Sequence, residues 1–371
     1  MAFAEVSGGR HEDLAPIIYP GHIPYHILEA QQFSREWLEQ DLFPLAAWME
    51  QVHSEGKKRS KILKGKMGYN LFYEPSTRTR TSFEAAILNL GGIFSSTENA
   101  KEFSSAIKGE TLEDTIRIIN GYGYDYIVLR YDETGGAARA ARVSGIPIIN
   151  AGDGKGQHPT QSLLDVYTIR KELGHISGLR VAMSGDLERG RTDRSLAYLL
   201  AKFPGVSLDF VSPWQLRMGD DIKEYLDEKG VPYREHTSLR PILHKVDVVY
   251  LTRPQKERPK AGRNGEAIYI DESAYRECGI DLEAMGLMQS HAIVMHPLPR
   301  NEELPTDCDS DPRMAAFRQA QNGLYVRMAL LDMILGAGTK SRPFTLFLDG
   351  YIPKIRHLRP MYEEVPLPQV A

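Results

Sequence analysis

The sequence predicts an α/β protein with two doubly wound parallel-sheet domains, which are joined by long helices and have a substrate cleft between them. Three observations predict this fold. Short β-branched or aromatic runs alternate with amphipathic helical patterns, which is typical of parallel strands with crossover helices. The chain has 371 residues, too many for one ordinary core. Cationic or amide side chains follow several predicted strands, at the end where open α/β sheets bind ligands.

The first helix is expected from about Ser34 to Ser54, after a mixed segment that contains Pro16, Pro20 and Pro24. Strand patterns alternate with helical patterns from there on. The predicted strands are Tyr69–Tyr73, Tyr126–Leu129, Pro147–Asn150, Arg180–Ser184, Ser207–Val211, Val246–Leu251 and Ala292–Met295.

A long connecting helix is predicted over Pro159–Leu173, because proline suits a first helical position and Gly174 can end a helix. The predicted domains are therefore residues 1–157 and 178–312, with a connector at 158–177. A last helix of about 313–336 is expected to return to the first domain. Residues 337–371 form a predicted tail, whose apolar side chains pack on this protein, on another subunit or on another enzyme.

Composition limits the partners and the location that we expect. The apolar fraction of 42% and the charged fraction of 25% are those of a soluble globular protein. A net charge of −4 provides no basic field for nucleic acid or an anionic membrane, and no apolar run approaches a membrane span. Cys278 and Cys308 are too few for a disulfide framework or a metal cluster. Because Glu5, Glu12 and Asp13 also argue against a transit peptide, we expect a cytoplasmic protein without metal or other cofactor.

The stretch Ser76-Thr77-Arg78-Thr79-Arg80-Thr81 is the most informative part of the chain. It places hydroxyls and an arginine on the first turn of a predicted helix, where free N–H groups and the helix dipole attract anions. A simple Ser/Thr N-cap would need only one of these residues. The favoured interpretation is therefore an anion site, with phosphate as the simplest ligand.

Further clusters follow other predicted strands, at the same edge of the two sheets. Each of them alone has an ordinary explanation as a surface charge, a cap or a loop, and their coincidence at one edge indicates a site. The spacing from Gly185 to Gly190 is not that of a dinucleotide fingerprint. The clusters are Arg130, His158-Pro159-Thr160-Gln161, Gly185-Asp186-Leu187, Gly190-Arg191-Thr192, Thr252-Arg253-Pro254-Gln255 and His296-Pro297-Leu298-Pro299-Arg300.

A loop from Ser104 to Thr111 adds Lys108, which either reaches a phosphate or is simply solvated. Arg78, Lys108, Arg130, Arg191 and Arg253 together predict a cationic cleft for ligands with several negative charges. The sequence shows no competing carboxylate pair, Ser-His-Asp order or metal cluster. The chemistry is therefore expected to depend on positioning and on stabilisation of an oxyanion.

Taken together, these motifs resemble the aspartate and ornithine carbamoyltransferase family, from about residue 20 to residue 336. The runs Phe72–Thr79, Asn150–Thr160 and Gln161–Asp165 resemble that family's carbamoyl-phosphate site, which assigns carbamoyl phosphate to domain 1–157. Residues 252–258 and 296–300 resemble the aspartate enzymes, because ornithine enzymes typically have a cysteine where this chain has Pro297. That assigns aspartate to domain 178–312.

The resemblance implies transfer of the carbamoyl group to the amino group of L-aspartate, in de novo pyrimidine biosynthesis. It leaves open another amine acceptor such as ornithine, or a non-catalytic regulatory paralogue. It also implies a homotrimer, and leaves open whether regulatory chains or other enzymes of the pathway bind. Ile107 and Arg189 depart from the lysine and tyrosine of well-known members.

Residue roles are implied by the same resemblance. Catalysis is assigned to Thr79, Arg130, His158, Arg78 and Lys108. Carbamoyl phosphate is held by Ser76, Thr77, Arg78, Thr79, Arg130, His158 and Gln161, with Ser104 and Lys108 supplied by a neighbouring subunit. Aspartate is held by Lys108, Arg191, Arg253, Gln255 and the Leu298 carbonyl. Closure of the domains is expected to pair Glu74 with Arg191 and Arg258.

Overall fold

Two parallel β-sheets form the frame of the computed structural model, which describes residues 25–55, 61–254, 260–261, 267–268 and 270–335. Its strands are β1 Met67–Phe72, β2 Ile93–Thr97, β3 Tyr126–Tyr131, β4 Ile148–Asp153, β5 Arg180–Ser184, β6 Ser207–Val211, β7 Tyr233–His236, β8 Val248–Leu251, β9 Lys260–Ala261, β10 Ala267–Ile268 and β11 Ile293–Met295. The first sheet has the order β2-β1-β3-β4 and the second β11-β8-β5-β6-β7, all parallel, while β9 and β10 form a short antiparallel pair. The predicted α/β class is confirmed.

Helices lie between the strands, as parallel sheets require. They are α1 Arg35–Trp37, α2 Phe43–Ser54, α3 Thr77–Asn89, α4 Ala100–Phe103, α5 Leu112–Gly121, α6 Gly136–Val143, α7 Pro159–Leu173, α8 Arg191–Leu200, α9 Asp220–Glu228, α10 Glu272–Arg276, α11 Leu282–Gly286 and α12 Ala316–Leu335. Among the described helices, none combines the length and the apolar character that crossing a membrane would need.

Each sheet has one face on a shared core and one face on a core of its own. Phe72 and Val128 of the first sheet, and Val181 and Met183 of the second, belong to one continuous apolar cluster that also includes residues of α7 and α12. Their neighbours along the strands point to the opposite faces, as the period of two in a strand demands. These outward-facing residues form two separate clusters, which include Leu71, Ile127 and Leu129 in one sheet and Ala182, Val249 and Leu251 in the other.

Helix α7 is buried along most of its length, from Pro159 to Ile169. It begins at Pro159, whose missing N–H is not needed at a first helical position, and it ends at Gly174, which adopts a left-handed φ of 80°. The helix packs against α8 and α12. A buried helix between the two sheets therefore fixes the position of the residues on its first turn.

In each sheet the order in which strands are added reverses at one point, and the two points face the cavity that is described below. In the first sheet the chain runs from β1 to β2 on one side and then to β3 on the other. In the second sheet it runs through β5, β6 and β7 before β8 is added on the opposite side of β5. Ligands of open α/β sheets bind at such switch points.

The short pair β9 and β10 was not predicted from the sequence, and within the parallel sheets β2 and β7 were not predicted either. Strands β2 and β7 both lie at a sheet edge and are half-buried or exposed, so that they lack the apolar run that marks the inner strands. The predicted first helix is divided into α1, a π-helical turn at Leu38–Leu42, and α2. The last helix starts at Ala316 rather than near residue 313. The predicted tail, 337–371, and the proline-containing segment before residue 25 lie outside the described residues, and the domain boundaries stay predictions.

Candidate active site

A cavity of about 970 Å³ lies between the two sheets. It is bounded by the loops that follow β1, β5, β8 and β11, by the carboxyl end of β3, and by the first turns of α3, α7 and α8. Most of the residues that the sequence singled out line this cavity. They are Glu74, Ser76, Thr77, Arg78, Thr79, Arg130, His158, Gln161, Arg191, Arg253 and Leu298.

Three helices begin at the cavity without a side-chain cap. The N-cap residues of α3, α7 and α8 are Ser76, His158 and Gly190, and none of them accepts a hydrogen bond from its own helix through a side chain. The Ser76 hydroxyl instead accepts from Nη1 of Arg130, at 3.1 Å. The first N–H groups of α3 thus keep their capacity to bind an anion.

Glu74 joins two arginines from the two halves of the cavity. Its Oε2 accepts from Nε of Arg130 and from both terminal nitrogens of Arg191, each at 3.3 Å. Arg191 also donates to the Gly154 carbonyl at 3.1 Å. The predicted pairing of Glu74 with Arg191 is present in the structure, and Arg258 lies outside the described residues.

Arg191 is closely approached by the backbone of Gly152. This glycine has a φ of 116°, and a Cβ atom at this position would lie 2.9 Å from Cζ of Arg191. Only glycine combines that backbone conformation with the space that the guanidinium needs. Gly152 therefore helps to determine where Arg191 lies.

Thr79 and His158 meet at the buried end of the cavity, with Thr79 Oγ1 and His158 Nε2 3.3 Å apart. His158 is 4% exposed, and its backbone N–H donates to Ser195 Oγ at 2.9 Å. Burial, and then the nearby charges of Arg191 and Arg130, hold the pKa of His158 well below its usual value. A neutral imidazole at neutral pH can share a proton with a hydroxyl or donate to a carbonyl, but it is a poor general acid.

The cavity is strongly cationic. Six arginines line it against two carboxylates, Glu74 and Asp186, in the part of the chain that the structure describes. Burial lowers the pKa of Arg130 to about 9, and a guanidinium with that pKa still carries its charge at neutral pH. Such a surface favours ligands with several negative charges.

Arg78 and Leu298 join the two sides of the cavity. Nη2 of Arg78, on the first turn of α3, donates to the Leu298 carbonyl at 2.5 Å. Leu298 follows β11 and has a φ of 58°, a left-handed conformation that is costly for a leucine. Its own N–H donates to Nδ1 of His296 at 2.8 Å.

Two predicted residues, Ser104 and Lys108, do not line this cavity. The Ser104 hydroxyl donates to the Ala100 carbonyl at 2.5 Å, and Lys108 is exposed, and neither residue lines the cavity of its own chain. Gln255 and Arg258 lie outside the described residues, so the structure gives them no position. Within the described residues, no group of three or more His, Cys, Asp or Glu side chains is arranged to hold a metal ion.

Sequence reasoning missed three buried polar residues at the cavity, of which Asp165 lies behind the wall while Gln319 and Arg327 line it. Asp165 carried a signal, because it lies four residues after Gln161 on the same helix face. Gln319 and Arg327 belong to α12 and carried none, because only the fold brings that helix to the cavity. Arg327 is 3% exposed, stacks with its Cζ 5.1 Å from the Phe83 ring centroid, and has its pKa lowered by burial to about 10.

Family comparisons divide the chain into two matched parts. Residues 25–171 match the family described as the carbamoyl-P binding domain of aspartate/ornithine carbamoyltransferase. Residues 177–334 match the corresponding Asp/Orn binding domain. The junction between the two matches falls at the end of α7.

Similar proteins include aspartate carbamoyltransferase 1 of Pisum sativum, named chloroplastic, which is 55% identical over 83% of this chain and 78% of the relative. The catalytic subunit of Methanopyrus kandleri aspartate carbamoyltransferase is 44% identical over 84% of this chain and 97% of the relative. A crystal structure of Trypanosoma cruzi aspartate transcarbamoylase with N-(phosphonacetyl)-L-aspartic acid has a TM-score of 0.77 and 40% identity, and covers 84% of this chain and 95% of its own.

The expectation of a cytoplasmic protein is wrong. Relatives from Pisum sativum, Oryza sativa subsp. japonica and Arabidopsis thaliana that are 53–55% identical are all named chloroplastic. The argument for the cytoplasm used reduced cysteines, which fit any reducing compartment. A few acidic residues near the start of the sequence were too weak a signal to exclude import into an organelle.

Proposed function

The chain belongs to the aspartate/ornithine carbamoyltransferase family, and we propose that it transfers the carbamoyl group of carbamoyl phosphate to the amino group of L-aspartate. The products are N-carbamoyl-L-aspartate and phosphate, and the reaction serves de novo pyrimidine biosynthesis. One observation carries the proposal: a cationic cavity joins an uncapped, hydroxyl-rich helix terminus on one sheet to arginines on the other.

The phosphate of carbamoyl phosphate binds at the first turn of α3. Ser76, Thr77 and Thr79 offer hydroxyls there, the free N–H groups point in the same direction, and Arg78 adds a charge. A terminal phosphate suits this set because it accepts several hydrogen bonds at once. Gln161, on the first turn of α7, is placed to bind the carbamoyl amide.

Thr79, Arg130 and His158 polarise the carbamoyl carbonyl. The Arg130 side chain is 15% exposed and is oriented by Glu74 and Ser76, so that its charge acts at short range. Negative charge on the carbonyl oxygen increases as the amine attacks. Donors that are already in place stabilise that charge without further reorganisation, which is the main source of rate enhancement in this reaction class.

Aspartate binds on the second sheet. Arg191 and Arg253 carry the guanidinium groups that two carboxylates require, whereas the ammonium of ornithine would be repelled by them. Gln255 is also proposed to bind the carboxylates of aspartate. Because the Leu298 carbonyl accepts from Arg78 in the structure, Arg78 must turn toward the bound phosphate before that carbonyl accepts from the amine of aspartate.

The bond changes need no protein nucleophile. The neutral amine of aspartate attacks the carbamoyl carbon, a C–N bond forms, and the C–O bond to phosphate breaks. The departing phosphate takes the proton that the amine loses. A depressed pKa at His158 fits this scheme, because a neutral imidazole orients the carbonyl without having to transfer a proton.

A homotrimer completes the site in this proposal. Ser104 and Lys108 lie outside the cavity of their own chain, and Lys108 is exposed, so a neighbouring subunit can supply them. Several exposed apolar side chains belong to the same part of the chain as this loop, namely Leu88, Ile93, Ile107, Ile118 and Tyr122. The names of the plant relatives favour a plastid as the location, which import of the full-length protein into isolated chloroplasts would test.

Product formation by the purified protein tests the proposed reaction. Carbamoyl phosphate is supplied with aspartate or with ornithine in separate reactions, and the carbamoylated amino acid is identified by mass. We expect carbamoyl-aspartate alone. Carbamoyl-ornithine would overturn the assignment of the second sheet to aspartate, and no product with either amine would overturn the proposed reaction.

A further inference from the structure

A buried carboxylate behind the cavity receives three hydrogen bonds from three different elements. Oδ1 of Asp165 accepts from Nε2 of Gln161 at 2.9 Å and from Nε2 of Gln319 at 2.7 Å. Oδ2 accepts from the Tyr250 hydroxyl at 2.9 Å. Asp165 is fully withdrawn from solvent, and two of its three partners, Gln161 on α7 and Gln319 on α12, line the cavity.

The same network continues to the aspartate side of the cavity. Gln319, 1% exposed, donates to Asp165 through its amide nitrogen and accepts from the backbone N–H of His296 through its amide oxygen, at 2.8 Å. His296 Nδ1 then accepts from the N–H of Leu298. Every connection between Gln161 and Leu298 is thus a hydrogen bond of ordinary length.

We propose that Asp165 and Gln319 are positioning residues, which fix the Gln161 amide and the Leu298 carbonyl relative to one another and so align the two substrates. The inference depends on the proposed function for the identity of the substrates. Neither residue needs to contact a substrate, because each acts through a group that does.

The geometry of Leu298 shows why such a support is needed. A leucine in the left-handed region is disfavoured, and a strained residue of this kind persists only where its surroundings hold it. Apart from the contact with Arg78, the structure holds Leu298 through His296, and it holds His296 through Gln319 and through Glu303, whose Oε1 lies 3.1 Å from His296 Nε2. Once Arg78 turns to the phosphate, Leu298 keeps the hydrogen bond to His296 in this network and the packing of its side chain on the apolar core of the second sheet.

The surroundings of Asp165 also contain groups that stabilise its negative charge. All three of its partners donate hydrogen bonds, which favours an ionised acceptor. Burial raises the pKa of Asp165 to about 7, while the positive charge of buried Arg327 acts in the opposite direction. A fully bonded polar network of this kind keeps its members in one arrangement.

Steady-state kinetics of Gln319→Met test the inference, and Tyr250→Phe is the matched control. Gln319→Met keeps the volume of the side chain but removes the hydrogen bonds that connect Asp165 to His296 and so to Leu298. The hydrogen bond between Gln161 and Asp165 is left in place. We expect KM for aspartate to rise about 10-fold or more, because a buried hydrogen bond is lost, while KM for carbamoyl phosphate changes less than about 2-fold. Tyr250→Phe removes one hydrogen bond to Asp165 but leaves those of Gln161 and Gln319 in place, so both KM values should stay within about 3-fold of the wild type.

Equal changes of both KM values in Gln319→Met, or the same changes in Tyr250→Phe, would overturn the inference, because a general loss of packing would explain them. The thermal unfolding midpoint of each variant identifies such a loss.

Crystal structures of the wild type and Gln319→Met add a measurement that is independent of turnover. We expect the Leu298 carbonyl to move by about 1 Å, a shift that can cost about 100-fold in rate, and an unmoved carbonyl would refute the inference. If the wild type forms no carbamoyl-aspartate, the proposed function fails, and the crystal structures still decide whether Gln319 holds Leu298.

Discussion

Single side chains in this cavity act mainly through fixed charge. Arg130 and Arg191 are both oriented by one carboxylate, Glu74, and this arrangement keeps two like charges close together without a ligand. The anions of the substrates complete the neutralisation. The chemistry then follows from where these charges lie, which is why the motif around Ser76 could be recognised in the sequence while the supporting Gln319 could not.

Removing Arg78 tests the phosphate end, and the same helix offers a control. We expect Arg78→Ala to lower kcat/KM by about 100-fold or more, because it removes a charge that acts on the transition state. Arg80→Ala is the control, since Arg80 pairs with Glu84 and Glu98 and does not line the cavity. Its kcat/KM should remain within about 3-fold of the wild type. Equal losses in the two variants would argue against a phosphate site at this turn.

His158 predicts how stability depends on pH. Its pKa is depressed in the folded protein, so below about pH 6.5 the unfolded chain binds a proton that the folded protein does not. The stabilisation is fully present above that pH and is lost as the pH falls below it, by at most about 1.4 kcal/mol per pH unit.

Urea unfolding at pH 7.5 and 5.5 measures this effect. The decrease in unfolding free energy should be larger for the wild type than for His158→Asn, and that difference isolates His158 from the other buried histidines. An identical decrease in both proteins would show that His158 is protonated in the folded state.

Among the helices and strands, burial decided what the sequence could reveal. Inner strands such as β5 and β6 were predicted with correct ends, because apolar residues are contiguous where both faces of a sheet are covered. The edge strands β2 and β7 were missed, because neither carries such a run. Likewise, the side chains on α12 that approach the cavity have no local signal, since only the packing of α12 against α3 and α7 brings them there.

The end of strand β4 gives a test at the level of one backbone segment. Gly152→Ala should displace Arg191, because the added Cβ would lie 2.9 Å from its Cζ. We expect KM for aspartate to rise about 10-fold, measured in steady state. Gly174→Ala is the matched control, because that glycine also has a positive φ but has open space around it. It should cost about 1 kcal/mol of stability and leave KM for aspartate unchanged.

For the molecule as a whole, the positions of Ser104 and Lys108 are the strongest reason to propose a shared site. A monomer has the proposed phosphate-binding turn and the proposed aspartate-binding arginines in one cavity, but it lacks the lysine that the family resemblance assigns there. In this proposal the two substrates meet between the two sheets of one chain, and a second chain closes the site.

Subunit mixing tests the shared site. Lys108→Ala and Arg130→Ala should each be nearly inactive alone. Dissociated and reassembled together, they should regain up to about a quarter of wild-type activity, because in a cyclic trimer some sites then combine an intact Arg130 with an intact Lys108 from a neighbour. A fully active monomer by mass measurement, or no recovery on mixing, would exclude the shared site.

A crystal structure of the protein with N-(phosphonacetyl)-L-aspartate would show both ends of the proposed site at once. We expect the phosphonate at the first turn of α3, against Ser76, Thr77 and Thr79, and the two carboxylates at Arg191 and Arg253. Arg78 should have left the Leu298 carbonyl. A phosphonate bound away from α3, or carboxylates that contact neither arginine, would contradict the proposal that this cavity joins carbamoyl phosphate to aspartate.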